Sequence, residues 1–317
     1  MSTETRDLHN KRKKMWEASM ANHRKYIDSA SGLFADRFVE NRPCPVCDVD
    51  SEIFLFAKEG GQYKKCTRCD IVYLNPVFKD KYLEEYYRAN HDLQSEIVEE
   101  DSEFYIDLYE KGLRSIEKVV KPGNILDIGC SAGLFLDVCK MAGWNTYGVE
   151  LNTKEAEYAK GKSHTVYNEL IESVPFDTKF DAVTLWDVFE HLKNGAYYLK
   201  HISTLLADGG VIFMQIPSAD SLAAKILQEK CNMFDGLEHV NIYSYRALEK
   251  LAGKCKLTVI DMDTVISEVG VINNYLNYES PYFGKADKTS CLLNLIDEEA
   301  LHQHKLGYKM QVVLGRA

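Results

Sequence analysis

Between residues 124 and 217 the sequence alternates strand-length apolar runs with amphipathic segments, and this alternation constrains the fold more than any other feature. The apolar runs are NILDIG, NTYGVE, KFDAVTLW and GVIFMQIP, and the segments between them have the length and apolar spacing of helices. Strands that alternate with helices form right-handed crossovers around a parallel sheet, which the helices cover on both faces. The sequence therefore predicts an α/β, doubly wound sheet.

The length of the chain predicts more than one structural part. Its 317 residues exceed the roughly 100–200 residues of a typical domain. The pattern of apolar and polar residues changes near Pro43 and again near Pro122. We therefore expect four structural parts. They are a helical N-terminal segment over residues 1–40, a small β module over 41–78, a helical linker over 79–121, and the α/β domain over 122–317, with insertions at 218–244 and 267–306.

Four cysteines stand in two Cys-x-x-Cys pairs within the small β module. Cys44 and Cys47 form the first pair, and Cys66 and Cys69 form the second, with 18 residues between the pairs. Each pair sits on a turn that directs two thiolates at one point, and four thiolates in a tetrahedron suit Zn²⁺. Because four protein ligands leave no open coordination position, the pattern predicts a structural zinc ion in a zinc ribbon.

Composition and charge exclude several classes of protein. The sequence is 45% apolar and 27% charged, which is typical of a globular protein and not of a disordered or fibrous one. No apolar run approaches the roughly 20 residues that cross a bilayer, so no membrane partner is expected. The N-terminus lacks the apolar block of a secretory signal, and we expect a cytoplasmic protein. The net charge of −10 disfavours a nucleic acid as the main partner.

The segment LDIGCSAG, residues 126–133, connects the first strand of the α/β domain to a helix. Gly129 lets a ligand approach the backbone, and Gly133 allows the helix to begin close to the strand. Asp127 repels a phosphate group but suits the cationic amino end of a zwitterionic ligand, so a dinucleotide fits this segment less well. Glu150 ends the next strand, 23 residues after Asp127, where a carboxylate accepts hydrogen bonds from both hydroxyls of a ribose.

These residues resemble the motifs of the class I S-adenosylmethionine-dependent methyltransferases, whose first motif is similar to DIGCGTG. The likeness extends through VTLWDVFEHL at residues 183–192, and the final strand, GYKMQVVLG, is similar to the last, antiparallel strand of that family. The resemblance implies a Rossmann-like methyltransferase sheet with S-adenosylmethionine as its cofactor. It implies ten cofactor-binding residues: Asp127, Gly129, Cys130, Gly133, Glu150, Leu151, Leu170, Ile171, Trp186 and Asp187.

By the same resemblance, different residues contact different parts of the cofactor. The methionine part lies near Asp127 and the two glycines, the ribose at Glu150, and the sulfonium end beside Trp186 and Asp187, for which a helix cap is the alternative role. Family members often carry an aspartate after the third strand that meets the adenine amino group, whereas this loop reads YNELIESVPF. Backbone carbonyl groups near Leu170 or Ile171 are the expected substitute.

A further signal follows the fifth strand, where residues 234–244 read FDGLEHVNIYS. Glu238 and His239 are adjacent there, and an imidazole is suited to removing a hydroxyl or α-keto proton near neutral pH. The stretch resembles the HEHxxYFS segment of the sugar C-methyltransferases, which also carry an N-terminal zinc ribbon and a tyrosine-rich linker. That resemblance implies catalytic roles for His239 and Glu238 at the acceptor site. A strand-capping histidine is the alternative for His239.

Three hypotheses for function follow from these observations. The first is a methyltransferase that uses S-adenosylmethionine, contains a structural zinc ion, and methylates a small-molecule acceptor, most simply a nucleotide-linked or polysaccharide sugar. The second is an rRNA base methyltransferase whose zinc ribbon binds RNA, although basic and acidic residues of the ribbon largely cancel. The third is a non-catalytic scaffold that binds S-adenosylmethionine, which the intact Gly129, Gly133 and Glu150 disfavour.

Overall fold

A computed structural model describes residues 21–90, 102–277, 282 and 298–317. Residues 1–20 of the expected N-terminal segment, part of the linker and part of the insertion at 267–306 lie outside the described residues. The described residues form two compact units. The first contains those within 1–94, 217–247 and 264–310, and the second contains those within 95–216, 248–263 and 311–317.

The secondary structure of the described residues is as follows. The strands are β1 (Val39–Glu40), β2 (Glu52–Lys58), β3 (Gly61–Cys66), β4 (Val72–Leu74), β5 (Val77–Phe78), β6 (Asn124–Ile128), β7 (Asn145–Val149), β8 (Thr165–Tyr167), β9 (Phe180–Trp186), β10 (Leu206–Pro217), β11 (Asn241–Ile242), β12 (Leu257–Val265) and β13 (Lys309–Arg316). The α-helices are α1 (Asp80–Asn90), α2 (Ser102–Glu117), α3 (Leu134–Met141), α4 (Thr153–Gly161), α5 (Gly195–Leu205), α6 (Leu222–Leu227), α7 (Tyr245–Lys254), α8 (Val269–Asn277) and α9 (Glu298–Gln303). None of these described helices has the length and apolar character needed to cross a membrane.

The larger sheet has seven strands in the order β12-β13-β10-β9-β6-β7-β8. The pairs β6–β7, β7–β8, β6–β9 and β9–β10 are parallel. The chain enters at β6, moves outwards to β8, and then returns to β9 on the other side of β6. This topology confirms the predicted α/β, doubly wound sheet. Ligands of such sheets bind outside the carboxyl ends of the strands, at the point where the strand order reverses, which here lies between β6 and β9.

The central strand β9 is buried on both faces of the sheet. Its neighbouring residues Ala182 and Val183 are both fully buried, and successive side chains of a strand point to opposite faces. Apolar residues on both faces are what a parallel sheet between two helical layers requires. Thr184 is the polar exception among the buried residues of β9, and its hydroxyl group donates a hydrogen bond to Asp127 of β6 at 2.6 Å. The exception therefore marks the strand pair that leads to the candidate site.

Residues 41–78 form a small antiparallel structure that we call the ribbon module. Strand β3 pairs antiparallel with β2 on one side and with β4 on the other. Strand β11, from the insertion at 218–244, pairs antiparallel with β4 and completes the order β11-β4-β3-β2. The insertion therefore contributes a strand to the sheet of the ribbon module, which the sequence did not predict.

Residues 27–40 differ from the helical segment that the sequence predicts. A short 3-10 helix ends at Tyr26, and the Oδ1 atom of Asp28 then accepts the backbone N–H groups of Ala30 at 3.1 Å and Ser31 at 2.9 Å. These side-chain hydrogen bonds compete with a helix, and Gly32 follows with a φ of 70°. The prediction of a helix through residue 40 is therefore wrong for residues 27–40.

Candidate active site

The loop between β6 and α3 carries the two glycines singled out from the sequence. Gly129 has a φ of 77° and Gly133 a φ of 81°, a backbone region that glycine adopts without strain. A Cβ atom at Gly129 would lie 2.7 Å from Cγ2 of Val188, so the loop has no room for a side chain there. The N–H groups of Gly129 and Cys130 donate to the carbonyl oxygen of Val149 at 2.8 and 3.2 Å. These bonds fix the loop to the end of β7.

Glu150 follows the last residue of β7 and joins two segments of backbone. Its Oε2 atom accepts the N–H group of Ser131 at 2.9 Å, and its Oε1 atom accepts the N–H group of Asn152 at 2.7 Å. Both carboxylate oxygens are therefore oriented by the protein itself, and each has further lone-pair capacity. The arrangement is a preorganised acceptor for two hydroxyl groups.

Asp127 lies in β6, immediately before the loop, and is only 2% exposed. Burial raises the pKa of Asp127 to about 8, and the charge of Glu150 acts in the same direction, while the hydrogen bond from Thr184 lowers it. Asp127 is not among the residues that line the cleft described next. Its contact with the amino end of a cofactor therefore stays a prediction.

A cleft of about 630 Å³ opens at the carboxyl ends of β6, β7 and β9. Five of the ten residues that the resemblance assigns to the cofactor line it, namely Gly129, Glu150, Leu151, Leu170 and Ile171. Apolar walls beside an oriented carboxylate suit a nucleoside, because the base needs apolar surface and the ribose needs hydrogen-bond acceptors.

Two of the remaining predicted residues shape the loop and do not line the cleft. Gly133 is the N-terminal capping residue of α3. The thiol of Cys130 faces Gly148 of β7, where a Cβ atom would lie 2.5 Å from Sγ, and burial raises the pKa of this thiol. Cys130 thus acts through its backbone and its packing.

Trp186 and Asp187 stand at the end of β9 but do not line the cleft either. The indole ring of Trp186 packs against Tyr109 and Phe135, with ring centroids 4.7 and 5.0 Å apart. Asp187 has a φ of 54°, its N–H group donates to the carbonyl oxygen of Gln215 at 2.9 Å, and its Oδ2 atom accepts the Gln215 amide at 3.1 Å. The following 3-10 helix has Val188 as its N-terminal capping residue.

Glu172 is a cleft residue that the sequence analysis did not single out. It lies in the short 3-10 helix of Ile171–Ser173 and lines the cleft. Its Oε2 atom is buried and has no hydrogen-bond partner among the described residues. The signal was present in the sequence, because Glu172 is an acidic residue in the loop after the third strand of the α/β domain, where the resemblance placed an adenine ligand.

The four paired cysteines of the ribbon module lie together as reduced thiols. Cys47 Sγ lies 3.4 Å from Cys44 Sγ, 3.4 Å from Cys66 Sγ and 3.6 Å from Cys69 Sγ. Sulfur atoms at about 2.3 Å from a tetrahedral zinc ion are about 3.8 Å apart, and the observed separations are slightly shorter than this spacing. The cluster is therefore compatible with zinc and has four ligands of the type that zinc prefers.

The loop that carries Glu238 and His239 is organised by a second acidic residue, Asp235. The Asp235 carboxylate accepts the N–H groups of Leu237 at 2.8 Å, Glu238 at 2.9 Å and His239 at 3.1 Å. Its Oδ2 atom also lies 3.8 Å from Nδ1 of His239. The sequence analysis missed this role, although an aspartate before a glycine is a typical turn signal.

The imidazole of His239 has a defined orientation. Its Nδ1 atom lies 2.7 Å from the carbonyl oxygen of Met233. Because a carbonyl oxygen only accepts hydrogen bonds, Nδ1 carries the proton and the neutral ring has its lone pair on Nε2. Burial raises the pKa of Glu238 to about 8, and the charge of Asp235 adds to this effect. The raised pKa favours the protonated form of Glu238 near neutral pH.

Comparison with known proteins identifies relatives of this chain. A methyltransferase domain model matches residues 98–261, slightly more than half of the chain. The ubiquinone biosynthesis O-methyltransferase of Pelagibacter ubique is 29% identical over 110 residues, which cover 32% of this chain and 45% of that protein. The corresponding protein of Paracidovorax citrulli is 24% identical over 151 residues, which cover 44% of this chain and 63% of that protein. The chain thus spans less than two thirds of the length of these relatives.

Solved structures were also found to be similar. The plantazolicin methyltransferase BpumL, in complex with SAH, is 15% identical, with a TM-score of 0.47 over 75% of this chain and 91% of that chain. An S-adenosylmethionine-dependent methyltransferase from Clostridium acetobutylicum is 14% identical, with a TM-score of 0.42 over 75% of this chain and 100% of that chain.

Proposed function

This chain belongs to the methyltransferase domain family, and from that premise we propose that it transfers a methyl group from S-adenosylmethionine to a small polar acceptor. The observation that carries the proposal is the carboxylate of Glu150, whose two oxygens are oriented by the N–H groups of Ser131 and Asn152. A carboxylate at the end of this strand, beside a glycine loop, holds the two hydroxyl groups of a ribose.

The other residues of the cleft orient the cofactor. Leu151 and Ile171 line the cleft with apolar side chains, which suit the adenine ring, and the buried oxygen of Glu172 suits the adenine amino group. The bound cofactor supplies a methyl group on a positively charged sulfur. Because transfer is an in-line displacement, the orientation that these residues impose contributes much of the rate.

The proton of the acceptor goes to His239 in this proposal. The Nε2 atom holds the lone pair of the neutral ring, since Nδ1–H is donated to Met233. As the proton arrives, the nearby carboxylate of Asp235 stabilises the imidazolium that forms. The attraction between the two charges is stronger in a partly buried site than in bulk water. Glu238, protonated at neutral pH as a result of its burial-raised pKa of about 8, donates a hydrogen bond to an oxygen of the acceptor.

A sugar hydroxyl or carbon is the first acceptor that we propose. The support is the resemblance of residues 234–244 to the acceptor segment of sugar C-methyltransferases, together with the paired cysteines of the ribbon module. A second candidate is a hydroxyl group of a ubiquinone precursor, which the names of the relatives favour. The two candidates share the polar group that His239 deprotonates.

The ribbon module holds zinc in this proposal and serves a structural purpose rather than RNA binding. Two of its basic side chains are paired with acidic ones: Lys64 with Glu52, and Lys65 with Asp70 at 3.1 Å. Paired cations make a weak site for a phosphate backbone, because binding to RNA depends on cations that neutralise phosphates. These pairs disfavour the rRNA hypothesis.

A methyl-transfer assay tests the proposal. The purified protein is incubated with S-adenosylmethionine carrying a labelled methyl group and, in separate reactions, with nucleotide sugars, with hydroxylated quinone precursors and with rRNA fragments. We expect label in a small molecule, and the sugar arm is expected to be labelled first. Label confined to RNA would replace this proposal by the rRNA hypothesis, and binding of the cofactor without transfer to any acceptor would favour the scaffold.

A further inference from the structure

The ribbon module and the loop that carries His239 are parts of one hydrogen-bonded structure. Strand β11 begins two residues after His239 and pairs with β4, with Asn241 opposite Tyr73 and Ile242 opposite Val72. The N–H group of Leu74, at the end of β4, donates to the carbonyl oxygen of Val240 at 3.0 Å. The loop thus enters the sheet of the ribbon module directly after the candidate base.

Tyr63 of β3 connects this sheet to both ends of the loop. Its side chain is fully buried, its hydroxyl group accepts the N–H group of Gly236 at 3.1 Å, and it donates to the carbonyl oxygen of His239 at 3.2 Å. One hydroxyl group therefore joins the two ends of the four-residue turn from Gly236 to His239. One of its two hydrogen bonds is to the backbone carbonyl group of the candidate base itself. Packing of an aromatic ring does not require these two bonds.

The backbones of the two segments also approach closely. A Cβ atom at Gly61 would lie 2.0 Å from the carbonyl oxygen of Gly236, and one at Gly236 would lie 2.3 Å from the carbonyl oxygen of Lys58. Gly236 has a φ of 87°, which favours glycine. The loop therefore has no room to shift towards the hairpin of β2 and β3.

Arg42 holds the other side of the loop. Its Nη2 atom donates to the carbonyl oxygen of Val240 at 2.7 Å and to Oδ1 of Asn241 at 2.9 Å, and its Nε atom donates to the carbonyl oxygen of Leu74 at 3.1 Å. Arg42 stands two residues before Cys44, and β3 ends at Cys66. Both of the residues that hold the loop, Arg42 and Tyr63, are therefore within three positions of a cysteine of the cluster.

We propose that the ribbon module positions the acceptor base, and that Tyr63 is the positioning residue through which strand β3 holds His239 in place. This inference rests on the proposed function, in which His239 accepts the proton of the acceptor. A metal ion held by the four cysteines would fix β3 and the turn after it. Strand β3 places the hydroxyl group of Tyr63, and that hydroxyl group holds the turn from Gly236 to His239. The imidazole then keeps Nδ1–H directed at Met233 and Nε2 available to the acceptor.

The test compares Tyr63→Phe with Tyr73→Phe. Tyr73 is a matched control, because it is also fully buried in the ribbon module and its hydroxyl group donates to Oε2 of Glu52 at 2.6 Å, a bond that does not involve the loop. Four quantities are measured in each full-length protein: zinc content, affinity for S-adenosylmethionine, turnover, and the ¹⁵N signals of His239 in protein labelled at histidine. His239→Gln identifies those signals.

We expect Tyr63→Phe to keep its zinc and its cofactor affinity within about twofold, and to lower turnover by about 10- to 100-fold, the effect of losing two backbone hydrogen bonds. The ¹⁵N signals of His239 should move from the Nδ1–H tautomer towards a mixture of tautomers. Tyr73→Phe should leave turnover and the His239 signals unchanged. Equal effects of the two variants on turnover and on the His239 signals, or no effect of Tyr63→Phe on either, would overturn the inference.

Removal of zinc from the unsubstituted protein gives a second test, which does not depend on whether a variant folds. Chelation should change the His239 signals in the same direction while affinity for S-adenosylmethionine stays within about twofold of the starting value. Unchanged His239 signals after complete removal of zinc would overturn the inference. Because the spectra do not need an acceptor, they report on positioning even where the methyl-transfer assay fails, so failure of the inference and failure of the proposed function are distinguishable.

Discussion

The Oε2 atom of Glu150 accepts the backbone N–H group of Ser131 at 2.9 Å, and this bond joins the end of β7 to the glycine loop after β6. The two segments are the ones that the ribose and the amino-acid part of a nucleoside cofactor would contact. Glu150 therefore orders the two segments, and in the proposed function it also binds the ribose. A substitution of Glu150 must be chosen so that these two roles can be separated.

Glu150→Gln is expected to weaken binding of S-adenosylmethionine by about 1–3 kcal/mol, since glutamine retains one oxygen but loses the charge that accepts two hydroxyl protons. Calorimetric titration measures the change. Glu157→Gln is the control, because Glu157 is an exposed residue of α4 whose carboxylate pairs with Lys160. Equal affinities for Glu150→Gln and Glu157→Gln would show that Glu150 does not bind the ribose.

Asp127 should make the second compact unit less stable as pH rises. Its pKa is about 8 in the folded protein, chiefly because of burial, and about 3.9 in an unfolded chain. Between these values the folded state binds a proton that the unfolded state lacks. The free energy of unfolding therefore falls with rising pH, by up to about 1.4 kcal/mol per pH unit, from roughly pH 4 to pH 8.

Urea unfolding at several pH values between 5 and 8 checks this behaviour against Asp127→Asn. The variant keeps a group that accepts the Thr184 hydroxyl but does not titrate, so its unfolding midpoint should depend less steeply on pH. Parallel pH profiles for the two proteins would mean that Asp127 is not a source of the dependence.

Cys66→Ser should abolish binding of zinc at the ribbon module. The unsubstituted protein is expected to contain one zinc ion per chain, since its four thiols lie at separations that fit a tetrahedral site. Elemental analysis of freshly purified protein measures the content. Cys255→Ser is the matched control, because Cys255 is buried outside the cluster. Retention of zinc by Cys66→Ser would remove the claim, and so would an unsubstituted protein without zinc.

His239→Ala should leave affinity for S-adenosylmethionine within about twofold and lower turnover by about 10²–10⁴-fold, the range for loss of a general base. Steady-state kinetics with the labelled acceptor provide the measurement. His304→Ala is the control for an effect on turnover of removing a histidine side chain in general, because His304 lies at an exposed position near α9. Normal turnover in His239→Ala would assign His239 a structural role such as the capping of a strand.

The sequence was sufficient for the α/β sheet, because buried parallel strands are continuous apolar runs and the helices between them keep their own period. It was also sufficient for the cysteine cluster, since ligand type and spacing are local. Strand β11 was not predictable in this way. It has only two residues, Asn241 and Ile242, and it exists because β4, far away in the sequence, offers them a partner.

The candidate site was predicted in part. The sequence singled out Glu150 and Gly129, which line the cleft, because strand ends and glycine loops have local signatures. Glu172 was not singled out, because the neighbouring Glu169 is an acidic residue of the same loop and also lines the cleft. Adjacency in sequence did not reveal that the carboxylate of Asp235, four residues earlier, lies 3.8 Å from Nδ1 of His239. The directions of these side chains depend on the turn that Asp235 closes, and the order of residue types along the chain does not reveal the geometry of that turn.

The central claim is that the cleft at the carboxyl ends of β6, β7 and β9 holds the methyl donor. A crystal structure of the full-length chain with S-adenosylhomocysteine tests it most directly. The account predicts both ribose hydroxyl groups within hydrogen-bond distance of the Glu150 carboxylate and the adenine ring beside Leu151 and Ile171. A nucleoside bound elsewhere, or one whose ribose makes no contact with Glu150, would contradict the account.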